Sequence, residues 1–120
     1  MNNNTVPHEV LFGVEVPPGK FAVVRAFPGC LFRAKALVAK ESIPGATRVL
    51  LCFVGSKLQR LSFDATSGEG APTSRFAQFS EGEGEYYDTC DKALAITFWI
   101  ANDAGVSVKW EGTLHGQALK

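Results

Sequence analysis

The side chains with the clearest chemical potential are three glutamates in a short polar segment. Glu81, Glu83 and Glu85 alternate with Gly82 and Gly84 in the segment SEGEGE. Carboxylates on a glycine-rich segment cannot pack a core, so they are available to a calcium ion, to a basic partner or only to solvent. Calcium requires a convergent cage of oxygen atoms on a fixed turn, and this row lacks that register. We therefore expect no metal, and contact with a basic partner or plain solvation remain the alternatives.

No catalytic pattern accompanies these glutamates. His8 and His115 lie far apart in the sequence and belong to no nucleophile, zinc or phosphate motif, so both are expected at the surface. The segment GSK at 55–57 lacks the remainder of a phosphate-binding loop and predicts a hairpin turn. Because no nucleophile, base and orienting group can be assembled, we expect neither an enzyme nor a cofactor.

Composition limits the partners and the compartment. The chain has 120 residues, with 12 basic and 12 acidic side chains, which predicts one domain with no overall attraction to nucleic acid or to an anionic membrane. Cys30, Cys52 and Cys90 are an odd number at wide spacings, which argues against a disulfide framework or a zinc site. The N-terminus does not resemble a signal peptide, and the longest apolar run, ALAITFWIA, is too short for a membrane span. These features predict a soluble, intracellular protein.

Period-two alternation indicates the elements that must position these residues. In CLFRAKALVAK the apolar residues occupy the even positions from 30 to 38, while Arg33 and Lys35 face the other way. In KFAVVRAF, the side chains of Phe21, Val23 and Phe27 share one side. Each pattern is typical of a strand with one buried face.

Two further strands, TRVLLCFV (47–54) and LAITFWI (94–100), are apolar on both faces. Such a strand is covered either by a second sheet alone or also by another subunit, and the sequence does not decide between the two. VSVKWEGTL (106–114) alternates again, with Trp110 on its apolar face. Residues 66–91 are polar loops around a brief strand, RFAQF. No segment has a capped helical period.

Together these patterns predict an all-β fold, a two-sheet jelly-roll sandwich of about eight strands. An immunoglobulin-like sandwich is the weaker alternative, because its Cys…Trp…Cys spacing is absent. The expected organisation is a flexible tail at 1–9, a core at 10–116 and a second tail at 117–120.

The segment LFGVEVPPGK (11–20) resembles the start of the nucleoplasmin-like core domain. Its aromatic-glycine step is similar to animal nucleophosmin, and its later half is similar to the plant histone-deacetylase-type and immunophilin-fused forms. The segments that follow agree with the family in order and pattern as far as Gly116. The residues that carry the motif are Phe12, Gly13, Glu15, Pro18, Gly19 and Lys20.

This resemblance implies a jelly-roll protomer that forms a five-membered ring, with two rings paired in some members, and that acts as a nuclear histone chaperone. Core histones of either heterodimer type would be the partners, and Glu81, Glu83 and Glu85 the candidate contacts. Family members commonly carry a long acidic tail, so this sequence is expected to be the core of a longer protein. Glycine in a strand indicates close approach of other atoms, so Gly13→Val is expected to destabilise the fold or the ring.

The rival hypothesis is a monomeric ligand-binding sandwich, such as a carbohydrate-binding module. Trp99, Trp110, Tyr86 and Tyr87 would form its stacking platform.

Overall fold

The first four strands alternate between two sheets, and the last strand returns to the first sheet. A computed structural model of the protein describes residues 5–59, 70–77 and 87–119. A 3-10 helix, Thr73–Phe76, lies within the described residues. The strands formed by the described residues are β1 (Thr5–Val16), β2 (Phe21–Ala26), β3 (Leu31–Glu41), β4 (Thr47–Val54), β5 (Lys57–Leu58), β6 (Ala71–Pro72), β7 (Ile96–Asn102) and β8 (Val108–Leu119).

Two antiparallel sheets form a sandwich. Sheet A has the order β1-β8-β3, and sheet B has the order β2-β7-β4-β5, with β6 pairing the start of β4. The links β1–β2, β2–β3, β3–β4 and β7–β8 each cross from one sheet to the other. This winding is that of a jelly roll, so the predicted fold class is confirmed.

The core lies between the inner faces of the two sheets. Trp110 of sheet A and Phe98 of sheet B are fully buried, with ring centroids 5.8 Å apart. Phe12 of β1 meets Phe98 edge-on at 4.9 Å. The burial of Trp110 follows from its place on the apolar face of its strand, as the alternation predicts.

A β-bulge changes the predicted face of β3. The pairing with β8 shifts between Ala34 and Ala36, so Lys35 is an extra residue and the alternation reverses beyond it. Leu37 is buried, whereas Val38 is only half-buried. The expectation that even positions face the core as far as Val38 is therefore wrong after the bulge.

The segment predicted as a brief strand, RFAQF, forms no strand in its described part. Thr73–Phe76 is the 3-10 helix, and Phe76 is buried in the core. The indole N–H of Trp110 donates to the Thr73 hydroxyl at 3.1 Å, and that hydroxyl lies 2.7 Å from the hydroxyl of Thr47. These side-chain bonds and one apolar anchor fix the helix, and residues 78 and 79 lie outside the described part.

The predicted inner bounds of the two tails, at residues 9 and 117, are wrong. Thr5 pairs with Leu119, and the ladder between β1 and β8 continues without a break to Val16. Residues 5–9 and 117–119 thus belong to strands. At this end the central strand β8 has a partner on each side, because Leu119 also pairs with Leu31. Backbone pairing therefore continues where the alternation of apolar and polar residues is weak.

Candidate interaction surface

The outer face of sheet B is apolar and aromatic. Paired residues of adjacent strands point to the same side of a sheet; Val23, Trp99 and Leu51 are such a set, and so are Phe53 and Leu58. We call this surface the aromatic face, and it consists of Phe21, Val23, Leu51, Phe53, Leu58 and Trp99.

Three aromatic rings cross this face. Phe21 and Trp99 are stacked with centroids 5.3 Å apart and an interplanar angle of 7°. Phe53 lies on the other side of Trp99, at 6.3 Å and 50°. Phe21 is 54% exposed and Leu58 is 46% exposed. The rings come from β2, β7 and β4, so the sheet ladders hold them in a fixed row.

An ion pair lies at one end of the aromatic face. Arg48 pairs with Ala101 across the ladder, and its guanidinium donates to both carboxylate oxygens of Asp103, at 2.7 and 2.9 Å. These hydrogen bonds hold the pKa of Asp103 below its ordinary value. The pair is largely exposed, so it provides a charged boundary and little stability.

The outer face of sheet A has the opposite character. His115 Nδ1 lies 3.1 Å from Glu9 Oε2, and Lys40 Nζ lies 3.5 Å from Glu111 Oε1. Leu11 and Leu31 are exposed large apolar side chains on this face, at 71% and 42%, but they lie on different edge strands. The sandwich is therefore two-sided, with mixed charges on sheet A and the aromatic face on sheet B.

The two histidines lie on adjacent strands, which their sequence separation did not suggest. His8 pairs with Gly116, next to His115 on β8. The His8 ring meets Phe32 edge-on at 5.5 Å, and its Nε2 is 3.0 Å from the carbonyl oxygen of Pro28. Both histidines are half-buried rather than fully exposed, because cross-strand neighbours cover them.

The cysteines are free thiols. Cys30 is half-buried, while Cys52 and Cys90 are buried. Burial raises the pKa of the Cys90 thiol, so this sulfur is a poor nucleophile.

The three candidate glutamates, Glu81, Glu83 and Glu85, lie outside the described residues. Ten of the twelve Lys and Arg residues lie in the described part, but only seven of the twelve Asp and Glu residues do. The described body therefore carries a net charge of +3. The segments 60–69 and 78–86 together carry a net charge of −4, and Lys120 adds one positive charge, so the whole chain is neutral.

The resemblance motif begins in β1 and ends in a turn. Lys20 N–H donates to the Pro17 carbonyl at 3.2 Å, and Gly19 has φ of 65°, which is the backbone that a Pro-Gly type II turn requires. The side-chain amide of Asn102 donates to the carbonyls of Val16 and Pro17. This buried amide ties the turn to the end of β7.

The remaining motif residues divide between the core and the surface. Phe12 is buried and Glu15 is exposed on the outer face. The expected close approach at Gly13 is wrong, because a Cβ placed there meets no atom within 4 Å. Close approach occurs instead on the central strand, where a Cβ at Gly116 would collide with the Arg33 carbonyl oxygen.

The stacking platform expected for a carbohydrate-binding module is not assembled from the four predicted residues. Trp110 and Tyr87 are buried, and Tyr86 lies outside the described part. Trp99 is on the outer face, beside Phe21 and Phe53. Sequence reasoning did not predict Phe21 and Phe53 as members of this surface. The signal that marks them is an apolar edge strand next to strands that are apolar on both faces.

Comparison with known proteins identifies no relative: no family model, no curated protein and no solved structure matches the chain. Within the described residues, no helix has the length and apolar character needed to cross a membrane.

Proposed function

We propose that the protein is a binding protein, the ring-forming core of a nuclear histone chaperone. The aromatic face is the single observation that carries the proposal. It supplies a packing surface between protomers, and the family resemblance supplies the five-fold ring and the histone partner.

Assembly accounts for the contrast between the two outer faces. Large contiguous apolar patches on soluble proteins mark interaction sites. The row formed by Phe21, Trp99 and Phe53 is such a patch, while the opposite sheet carries polar and charged contacts. Closed cyclic symmetry buries one such face on every protomer without leaving an open end.

Histone binding depends on charge that the described body does not supply. That body is net positive, so a basic partner would be held by the acidic segments, above all by Glu81, Glu83 and Glu85. Five copies present about fifteen of these carboxylates, and weak pairs of about 0.2–1 kcal/mol each then add through effective concentration. The binding is therefore strongly dependent on salt.

The assembly is tested by light scattering. The chain mass is 12.9 kDa, so a five-membered ring has a mass of about 65 kDa. Phe21→Thr combined with Phe53→Thr keeps strand-forming residues but removes two rings from the aromatic face, and we expect it to lower the native mass. Leu11→Thr, on the other outer face, is the matched control and leaves the mass unchanged. A wild-type monomer at tens of micromolar would overturn the ring.

The histone contact is tested separately by titration against each kind of core-histone heterodimer at two salt concentrations. Changing Glu81, Glu83 and Glu85 to Gln weakens binding and flattens its salt dependence, with no change in native mass. A control with Glu9, Glu15 and Glu111 changed to Gln alters the net charge equally and binds as the wild type does. Equal binding by the two triple variants places the contact elsewhere, and no binding by the wild type at low salt rejects the chaperone function.

A second candidate uses the same aromatic face. The exposed ring of Phe21 beside Trp99 offers a flat surface on which a sugar ring can stack, as in a carbohydrate-binding module. This function requires a monomer and predicts a change in tryptophan fluorescence when soluble oligosaccharides are added. A ring-sized native mass without such a change excludes it.

A further inference from the structure

Strand β2 has an open hydrogen-bonding edge. It is the first strand in the order of sheet B and pairs only with β7 among the described residues. Asn102 N–H donates to the Lys20 carbonyl at 2.8 Å, which makes these two residues a hydrogen-bonded pair. Such pairs occur at every second residue of an antiparallel ladder. Ala22 and Val24 therefore direct their backbone groups toward β7.

The other residues of β2 direct their backbone groups away from the sheet. Phe21, Val23 and Arg25 have the opposite parity, so their N–H and C=O groups point outward. The other side of β7 agrees with this assignment. Gly55 N–H, just after β4, donates to the carbonyl of Ala95, just before β7. The odd-numbered residues of β7 therefore direct their backbone groups toward β4, and the even-numbered ones toward β2. Within the described residues, no backbone partner is found for the three outward-facing residues of β2.

The side chains along this edge favour pairing with another strand. Phe21, Val23 and Phe27 are 54%, 40% and 61% exposed, although all are apolar. Natural edge strands are commonly protected by proline, charge or a bulge. Strand β2 contains no proline, its ladder with β7 has no bulge, and Arg25 is its one charged residue.

Strand β1, one of the two edge strands of sheet A, provides a contrast within the same molecule. Strand β1 carries Pro7, Glu9 and Glu15 at exposed positions, so a second copy approaching it meets proline and like charges. Strand β2 has no proline and only one charged residue, Arg25, so it is less protected.

We propose that β2 pairs with β2 of a second copy, antiparallel and centred on Val23. The outward-facing residues of each strand then form three hydrogen-bonded pairs with about six hydrogen bonds. Phe21 lies opposite Arg25 of the second copy, so each guanidinium meets an aromatic ring. The two arginines are kept apart, whereas a register centred on Arg25 would oppose like charges.

A second copy fits this edge because the strand is its own complement in this register. The contact is a two-fold, isologous one, which closes after two copies and does not propagate into a fibre. The two copies of sheet B then form one continuous sheet. The hydrogen bonds of this contact use the backbone edge of sheet B, whereas the proposed ring buries side chains of the aromatic face, of which Phe21 and Val23 border this edge. Pairing at the edge converts single protomers to dimers and rings to paired rings.

The test is a comparison of native masses by sedimentation or light scattering at high protein concentration. Val23→Pro removes an outward-facing N–H that bonds to none of the described residues of the protomer, and proline is tolerated at such edge positions. We expect this variant to have half the wild-type mass. Val23→Thr keeps the N–H and a branched side chain, and we expect it to keep the wild-type mass. A folded Val23→Pro variant with the wild-type mass overturns the pairing, and so does a wild type with one or five copies.

Hydrogen exchange of the wild type decides the matter even if the proline variant does not fold. Pairing predicts that the amides of Phe21, Val23 and Arg25 exchange slowly at high protein concentration and about tenfold faster on dilution. The amides of Ala22 and Val24, which bond to β7, remain slow at both concentrations. If the Val23 amide is protected equally at both concentrations, another segment of the same chain covers the edge. If the amides of Phe21, Val23 and Arg25 exchange fast at both concentrations, no strand pairs with the edge. Either result overturns the proposal.

Discussion

Removing the Thr73 hydroxyl strands a buried hydrogen-bond donor. Trp110 donates its indole N–H to this hydroxyl. The Thr47 hydroxyl donates to the Glu41 carboxylate, so the hydrogen between Thr73 and Thr47 must come from Thr73. Thr73→Val preserves the shape of the side chain. It leaves the Trp110 indole N–H without an acceptor, and the Thr47 hydroxyl oxygen loses the hydrogen bond that it accepts.

The expected loss of stability is about 2–3 kcal/mol, since a stranded buried donor alone costs about 1–3 kcal/mol. For a chain of this length each kcal/mol lowers Tm by about 4 °C, so Tm falls by about 8–12 °C. Urea unfolding followed by tryptophan fluorescence and circular dichroism measures the loss. All variants are compared at one protein concentration, because assembly adds to apparent stability.

Two controls isolate the hydrogen bond. Ser74→Ala changes an exposed residue of the same 3-10 helix, and its effect stays within about 0.5 kcal/mol. In a Trp110→Phe background the indole donor is already gone, so Thr73→Val costs at least about 1 kcal/mol less than in the wild type. An equal cost in both backgrounds, or a cost below about 0.5 kcal/mol in the wild type, refutes the reasoning.

The other predictions concern the glycines and the exposed ion pair. Gly116→Ala, whose new Cβ collides with the Arg33 carbonyl oxygen, lowers the unfolding free energy by about 1–3 kcal/mol, whereas Gly13→Ala is neutral or stabilising; equal Tm values for the two variants would contradict the packing. Asp103 has a pKa below its ordinary value of 3.8 because of its hydrogen bonds to Arg48. The contribution of Asp103 to the stability of the folded protein is therefore fully present well above pH 3.8, and it is lost as the pH falls through the lower pKa of the folded state. Asp103→Asn should accordingly destabilise at neutral pH but make no difference in strong acid, which urea unfolding from pH 7 to pH 2 checks.

The sandwich could be predicted because alternation along a strand reports which residues share a face. It could not report which face is inside when both are apolar. Phe21 and Val23 were placed together on one side of β2, but Ala22 and Val24 opposite them are apolar too. The choice between them depends on which face the partner sheet covers, and no local pattern contains that information.

The bulge at Lys35 and the close approach at Gly116 were also beyond the sequence pattern. A single extra residue cannot be recognised until the partner strand is known, and the reversal of faces beyond Lys35 follows from pairing alone. Gly116 is crowded because β8 has a neighbour on each side. Gly13 belongs to an edge strand and faces outward, opposite Glu111, so a glycine in a strand did not by itself identify the crowded position.

The position of β8 in the centre of sheet A determines the order in which the protein can fold. Strands β1 and β3 do not pair with each other, and each forms its ladder with β8. During synthesis both are therefore finished long before the strand that joins them has been made. Pairing over such sequence separations is slow, and the waiting apolar strands are prone to aggregation. Sheet B can begin to form earlier, once β7 has emerged between β2 and β4, so we expect it to be structured before sheet A.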